Sequence, residues 1–344
     1  MMRMRALERN GIETVGFNAR KFLENQSLFD RHVLARIAPH RAIGKMNEEL
    51  LQAAREVRPD LVWFDKQEFV SAETLAAIKE LGARLAYYTP DPYFTVTWKQ
   101  TTASRDAMPL FDILVTAKAY ELKHFEQVGG KVIYMPLGYC DEVHRPIKSV
   151  ASAQTIDVSF IGGWEPRREE FMEAISGSGL GAYIWGYGWD HLIDGRWSIR
   201  RHLRLQRLAP NEPHRIRVSK QLSTRIYPGE IYDEAYARAL SQSRISLGLL
   251  RTTWPDQHTT RTFEIPACGS LLLADRTDEH RELFEAGKEA EFFSSVEELV
   301  DKARFLTDNP DTRDRMAQAG RARCIASGYS YLERFKAILP EIRG

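Results

Sequence analysis

The sequence predicts an α/β protein built from two doubly wound parallel sheets, and three observations carry that expectation. Short apolar runs of strand length alternate with segments of helical spacing along most of the chain, which is the pattern of βαβ units. A chain of 344 residues is long enough for two such domains, each with its own core. The third observation is the stretch from His258 to Gly287, HTTRTFEIPACGSLLLADRTDEHRELFEAG. It reads as a short helix stopped at Gly269, a buried strand over Leu271–Ala274, and a second helix from about Glu279. In an open parallel sheet, ligands bind outside the carboxyl ends of the strands, where helix N-termini offer free N–H groups. Glu264 on the first helix, with Thr277 and Asp278 after the strand, are placed to face that edge.

Composition excludes several classes. A formal net charge of +1 argues against a general nucleic-acid binder, which would be plainly basic. Cys140, Cys268 and Cys324 are far apart, odd in number and form no C-x-x-C, so neither a zinc ribbon nor a disulfide framework is expected. That usage suits a reducing cytosol. No run approaches the length of a membrane span and the N-terminus lacks a signal-peptide core, so the expected protein is cytoplasmic or at most peripheral at the inner membrane.

In the first half, residues 4–10 read as the end of a helix closed by Asn10-Gly11, followed by a strand over Glu13–Phe17. Met46–Val57 has helical spacing and is broken by Arg58-Pro59-Asp60. Strands are expected at Leu61–Phe64, Arg84–Tyr88, Phe111–Val115 and Lys131–Met135. Helices are expected over Ser71–Leu81, with a Ser cap and a Gly82 stop, and over Tyr120–Val128. Asp91 follows a strand at the carboxyl edge. Its carboxylate is a candidate to take a proton from an acceptor hydroxyl. The preferred reading is plainer: Asp91 caps the turn made by Pro90 and Pro92.

Gln154 begins the second unit. The strand Ile156–Ile161, then Gly162-Gly163, then a helix from about Arg167, make a phosphate cradle, because glycine lets backbone N–H groups approach a ligand. Arg167 and Arg168 are either a solvated helix start or phosphate contacts. Ala182–Trp185 is the next strand. Tyr187 or Trp189 beyond it could stack on a nucleobase, though aromatics beside glycine more often pack, and packing is preferred. Arg196–Arg225 carries nine basic residues against one acid, Glu212. At 100° per residue, Arg200, Arg204 and Arg207 share a helix face, either solvated or turned to an anionic acceptor or lipid headgroups. A helix over Tyr232–Ser241 and a strand over Ile245–Leu250 follow, with helices again over Asn309–Gly320 and Tyr331–Leu339.

These residues carry a resemblance. R-x-F-E-I-P-A-x-G followed by L-L-A-D-R-T-x-E-H-x-x-L-F, with G-x-W-E-P-x-R-E after the glycines, Y-M-P-L-G-Y-x-x-x-x-H-R-P before the linker and N-P-x-x-R-x-x-x-A-x-x-G near the end, resembles the CgeB-type, glycosyltransferase family 1-like group. It covers most of the chain from about Asp60 and is tightest from His258 to Tyr331. It implies the GT-B fold, two Rossmann-like domains facing a cleft, with the C-terminal helix crossing back onto the first. The implied domains are 1–148 on the acceptor side, 154–328 on the nucleotide-sugar side, and a closing helix over 329–344. A GT-B first domain begins one strand earlier, so the resemblance also implies that its central strand is absent here, leaving two neighbours unpaired; either the start is placed too late, which is the preferred reading, or this sheet is rearranged.

The implied activity is transfer of a sugar from a nucleotide-sugar donor to a hydroxyl of a glycan, protein or lipid-linked acceptor. No cofactor or metal is expected. No D-x-D occurs, and basic groups with helix N-termini can stabilise a leaving diphosphate. By the same resemblance Glu264, with Ala267 and Gly269 at the matching spacing, holds the donor ribose, and Gly229 and Glu230 meet the base. Arg261 is the candidate for the diphosphate, the alternative being an ion pair with Glu264 one turn along the helix. His258 is the candidate for a diphosphate or acceptor contact and Thr277 for the donor. Two other readings stay open: a nucleotide-sugar epimerase, and a non-catalytic GT-B protein in surface or spore-coat assembly.

Overall fold

The computed structural model describes residues 2–24, 41–97, 100–147, 154–189 and 225–343, together with Leu192 and Leu222. The chain divides into two compact units, Met1–Leu137 with Arg334–Gly344, and Gly138–Glu333.

In the first unit, helices α1 (Met2–Arg9), α2 (Lys21–Glu24) and α3 (Arg41–Val57) precede strand β1 (Leu61–Asp65). Then come α4 (Ala72–Glu80), β2 (Arg84–Thr89), α5 (Thr102–Ala107), β3 (Ile113–Thr116), α6 (Leu122–Val128) and β4 (Lys131–Tyr134). All pairings are parallel in the order β1-β2-β3-β4. The described strands form one continuous ladder in chain order with β1 at its edge. Ser71 caps α4 by accepting from the Thr74 N–H at 3.2 Å, and Gly82 ends it at φ +93°. Leu75 and Ile78 drive that helix onto the sheet against Leu85 and Leu114, all fully buried. Each such side chain contributes roughly 1.5–3 kcal/mol of burial.

The strand expected over Glu13–Phe17 does not form; residues 12–18 are irregular. No described strand pairs with them: Val15 is 67% exposed, Gly16 lies against Met4 of α1, and Phe17 packs against the core from irregular backbone. Arg3 of α1 instead grips Asp65 at the end of β1 through two hydrogen bonds of 2.6 and 2.9 Å. The C-terminal helix, α13 (Tyr331–Arg343), closes this unit. Phe335 packs edge-on to Trp63, Arg84 donates to the Ile342 carbonyl at 2.7 Å, and Lys131 donates to that of Glu341 at 2.9 Å.

The second unit holds β5 (Ile156–Ile161), α7 (Pro166–Gly177), β6 (Ala182–Gly186), β7 (Ile226–Pro228), α8 (Asp233–Ser241) and β8 (Ser243–Gly248). It continues with α9 (Arg261–Ala267), β9 (Leu271–Asp275), α10 (Asp278–Leu283), β10 (Glu291–Phe293), α11 (Val296–Asp308) and α12 (Pro310–Ala326). Its six-stranded parallel sheet has the order β10-β9-β8-β5-β6-β7. The chain therefore moves outward from β5 to one edge, returns to β8 beside β5, and moves outward to the other. That reversal between β5 and β8 is a topological switch point, where an open α/β sheet leaves a crevice for a ligand. Beneath it, Val158, Phe160, Ile245, Leu247, Leu271 and Leu273 make one core.

Candidate functional site

Two loops leave the sheet at the switch point, Gly162–Glu165 after β5 and Leu249–Arg251 after β8. Arg168 ties them together. Its guanidinium donates to the Gly163 carbonyl at 2.8 Å and to that of Leu249 at 3.0 Å, and it lies over the Phe160 ring. Burial pulls its pKa down to about 10, with Glu165 opposing the shift. Arg167 pairs with Asp275, whose other oxygen accepts from the Leu250 N–H at 2.7 Å. Neither arginine is a solvated helix start. Both are braces.

The glycine loop is tightly packed. The carbonyl of Gly162 accepts from the indole of fully buried Trp189 at 2.8 Å, so Trp189 is a packing residue. Gly163 has no room for a β-carbon because the Tyr187 phenol lies on it, and Tyr187 is held there by a hydrogen bond from Arg251. On the other side, Arg261 donates through Nε to the Ile161 carbonyl and brings Nη2 to 3.1 Å from the place a Gly162 β-carbon would take. Arg261 thus stands at the mouth of the switch point, on the first residue of α9.

One turn further along α9, Glu264 is 14% exposed and makes no described ion pair with Arg261. Its Oε2 accepts from the Tyr236 hydroxyl at 2.6 Å, and its Oε1 lies 3.8 Å from His144 Nε2. Burial, then the neighbouring carboxylate, hold the Tyr236 phenol well above its ordinary pKa, so it stays a donor. Ala267 ends α9 in the core and Gly269 follows the cap at φ +83°.

His258 and Thr277 come together nearby. His258 is 5% exposed; Nδ1 bonds to Glu279 and Nε2 is buried without a partner. Thr277 caps α10, accepting from the His280 N–H at 3.0 Å and donating to the Gln257 carbonyl at 2.7 Å, so its hydroxyl is engaged in both directions. Gly229, at φ +102°, and exposed Glu230 lie at the end of edge strand β7, away from the β5–β8 crossing. Asp91 belongs to the first unit. It pairs with Lys66, and its backbone bonds to Thr89 Oγ1 in the turn. The following loop is anchored by buried Glu121, whose carboxylate accepts from the N–H groups of Tyr93, Phe94 and Thr95 at 2.6, 2.9 and 2.8 Å. No sequence signal singled out Glu121, Tyr236 or His144 for these contacts.

The basic stretch from Arg196 lies outside the described residues up to Arg225, apart from Leu222; Arg225 itself stacks over Tyr183. Among the described residues no group of three or more His, Cys, Asp or Glu is placed to hold a metal ion. No described helix is long and apolar enough to cross a membrane.

Two parallel α/β sheets, one with a switch point flanked by a cation and a carboxylate on a single helix, define a glycosyltransferase of the GT-B fold. The chain belongs to the glycosyl transferase-like family, whose profile matches residues 167–340, just over half of its length. Solved structures with the same fold include HepE from Anabaena in complex with UDP-glucose, at 14% identity and TM-score 0.57, covering 99% of this chain and 88% of that one. Sucrose-phosphate synthase from Thermosynechococcus elongatus is 10% identical with TM-score 0.57, over 88% of this chain and 77% of its own. The UDP-forming α,α-trehalose-phosphate synthase from Burkholderia xenovorans, with glucose-6-phosphate, is 13% identical with TM-score 0.57, over 95% and 86%. No curated protein sequence matches the chain.

Proposed function

We propose that this glycosyltransferase is of the CgeB type and moves a sugar from a nucleotide-sugar to an acceptor hydroxyl without a metal. The observation that carries the reading is the placement of Arg261 and Glu264 one turn apart on α9. A fixed cation stands beside the glycine loop of the switch point, and a partly exposed carboxylate follows one turn on. That suits an anionic diphosphate next to a polyhydroxyl ribose. Arg261 with the backbone N–H of Gly163 takes the diphosphate and offsets the charge it gains on leaving, while Gly162, whose own N–H is bonded to the Trp185 carbonyl at 2.8 Å, sets the path of the loop. Glu264 takes the ribose hydroxyls, and Gly229 with Glu230 the base. His258 contributes through Nε2 to the diphosphate or acceptor, Thr277 shapes the donor side through its turn, and Asp91 accepts the acceptor proton. The acceptor is a glycan, protein or lipid-linked hydroxyl. The Arg196–Arg225 run gives a peripheral contact with anionic headgroups from the cytoplasmic side.

A thermal-shift series over UDP-glucose, UDP-N-acetylglucosamine and GDP-mannose tests this. A bound donor at about 100 Kd stabilises the fold by about 2.7 kcal/mol, so one of them raises Tm. Release of free nucleotide in the presence of an acceptor then separates a transferase from a non-catalytic binder. A chain whose Tm moves with no nucleotide-sugar or nucleotide contradicts the proposal.

A further inference from the structure

Glu264 is hydrogen-bonded on one side and flanked by an imidazole on the other. Tyr236, on α8, donates its phenol hydrogen to Oε2 at 2.6 Å. His144 approaches the other oxygen, with Nε2 3.8 Å from Oε1. The tautomer of that ring follows from its neighbour: the Cys140 N–H donates to Nδ1 at 3.0 Å, so Nδ1 presents its lone pair there and the N–H of the ring is Nε2, toward Glu264. His144 and Tyr236 also pack edge-to-face, ring centroids 5.6 Å apart, so the donating phenol and the imidazole beside it form one support. An ionised carboxylate has about four acceptor positions, and the phenol occupies one. The others keep fixed directions because the support sets the plane of the carboxylate.

We propose that Tyr236 and His144 are positioning residues that aim the Glu264 carboxylate at the two hydroxyls of a ribose, and so set selectivity for ribonucleotides over 2′-deoxyribonucleotides. The proposal rests on the reading of Glu264 as the ribose contact and adds where its geometry comes from. A free glutamate would find one hydroxyl nearly as well as two. A carboxylate held in one plane gains its second hydrogen bond without further ordering, and loses it when the 2′-hydroxyl is absent.

The test uses the full chain and calorimetric affinities for UDP and 2′-deoxy-UDP, with GDP and 2′-deoxy-GDP as the second pair. The parent should prefer the ribo form by about tenfold or more, the worth of a hydrogen bond to a charged group. Tyr236→Phe keeps the ring, and His144→Asn keeps an acceptor for the Cys140 N–H. In both variants the preference should fall to about twofold, mainly through weaker ribonucleotide binding. Equal weakening of both forms in Tyr236→Phe, with the ratio intact, would mean a structural role only and overturns the proposal. Glu264→Gln is measured alongside. If it leaves the ratio unchanged, or if the parent binds neither pair, the ribose reading of Glu264 itself fails. If it removes the ratio while Tyr236→Phe does not, only the positioning claim fails.

Discussion

Gly186 packs directly against the carbonyl of Gly162: a β-carbon on Gly186 would lie 2.6 Å from the Gly162 carbonyl carbon and closer still to its oxygen. The contact joins the ends of β6 and β5 where the glycine loop begins, and Gly186 sits at φ +150°, which side chains rarely adopt. Both partners at the contact are backbone, so neither can rotate aside.

Gly186→Ala should therefore destabilise the chain by about 2–4 kcal/mol, from overpacking and backbone strain together. Urea denaturation measures it. Gly229, at φ +102° with open space around it, provides the comparison, since alanine there meets strain without a collision. A smaller loss at Gly186 than at Gly229 would contradict the packing described.

Arg168 is the second structural element of the switch point. Arg168→Met removes the donors to Gly163 and Leu249 and leaves two buried carbonyls without them. The expected loss is about 2–4 kcal/mol in chemical denaturation. Arg168→Lys should recover little of it, because a single ammonium does not reproduce a planar fork reaching two carbonyls. Full recovery by lysine would show that charge alone matters at this position.

Much of this fold was legible in the sequence because parallel strands buried on both faces write themselves as apolar runs between helical segments. Ile113–Thr116, Ile156–Ile161 and Leu271–Asp275 are of that kind. β7 and β10 are only three residues each, too short to give a pattern, and the outer strand β7 contains Pro228. The stretch Glu13–Phe17 failed in the opposite way: Phe17 reaches the core, but no described strand pairs with the backbone. At the site, the positions of Gly162, Arg261 and Glu264 follow from strand, turn and helix order. The partners of Glu264 do not. Tyr236 is 28 residues away and meets it only because α8 and α9 flank β8. Arg168 reads as surface charge until two carbonyls are found facing it.

His280 gives the chain a pH signature. It is fully buried, stacked on Phe292, with Nδ1 on the Asp275 carbonyl at 2.6 Å and Nε2 on the Thr262 hydroxyl at 2.9 Å. Burial holds its pKa down to about 4, against 6.5 for the unperturbed group. Between those values the unfolded chain binds a proton that the folded chain refuses, so stability falls as pH drops from 6.5 toward 4. The full effect is roughly 3 kcal/mol. Denaturation at pH 7.5, 5.5 and 4.5 should show the decline, and His280→Gln, though less stable at pH 7.5, should show a shallower one. An identical slope in the variant assigns the acid sensitivity to other groups.

The central claim is that Glu264 holds the donor, and calorimetric titration of parent and Glu264→Gln with the UDP-sugar or GDP-sugar that raises Tm tests it most directly. The amide keeps the shape and the Tyr236 contact but loses the charge that strengthens hydrogen bonds from two hydroxyls. The predicted result is an unchanged fold with donor binding weaker by about 1.5–3 kcal/mol, or roughly ten- to more than a hundredfold in Kd. An equal Kd in a Gln variant that melts like the parent would contradict the account and remove Glu264 from the site.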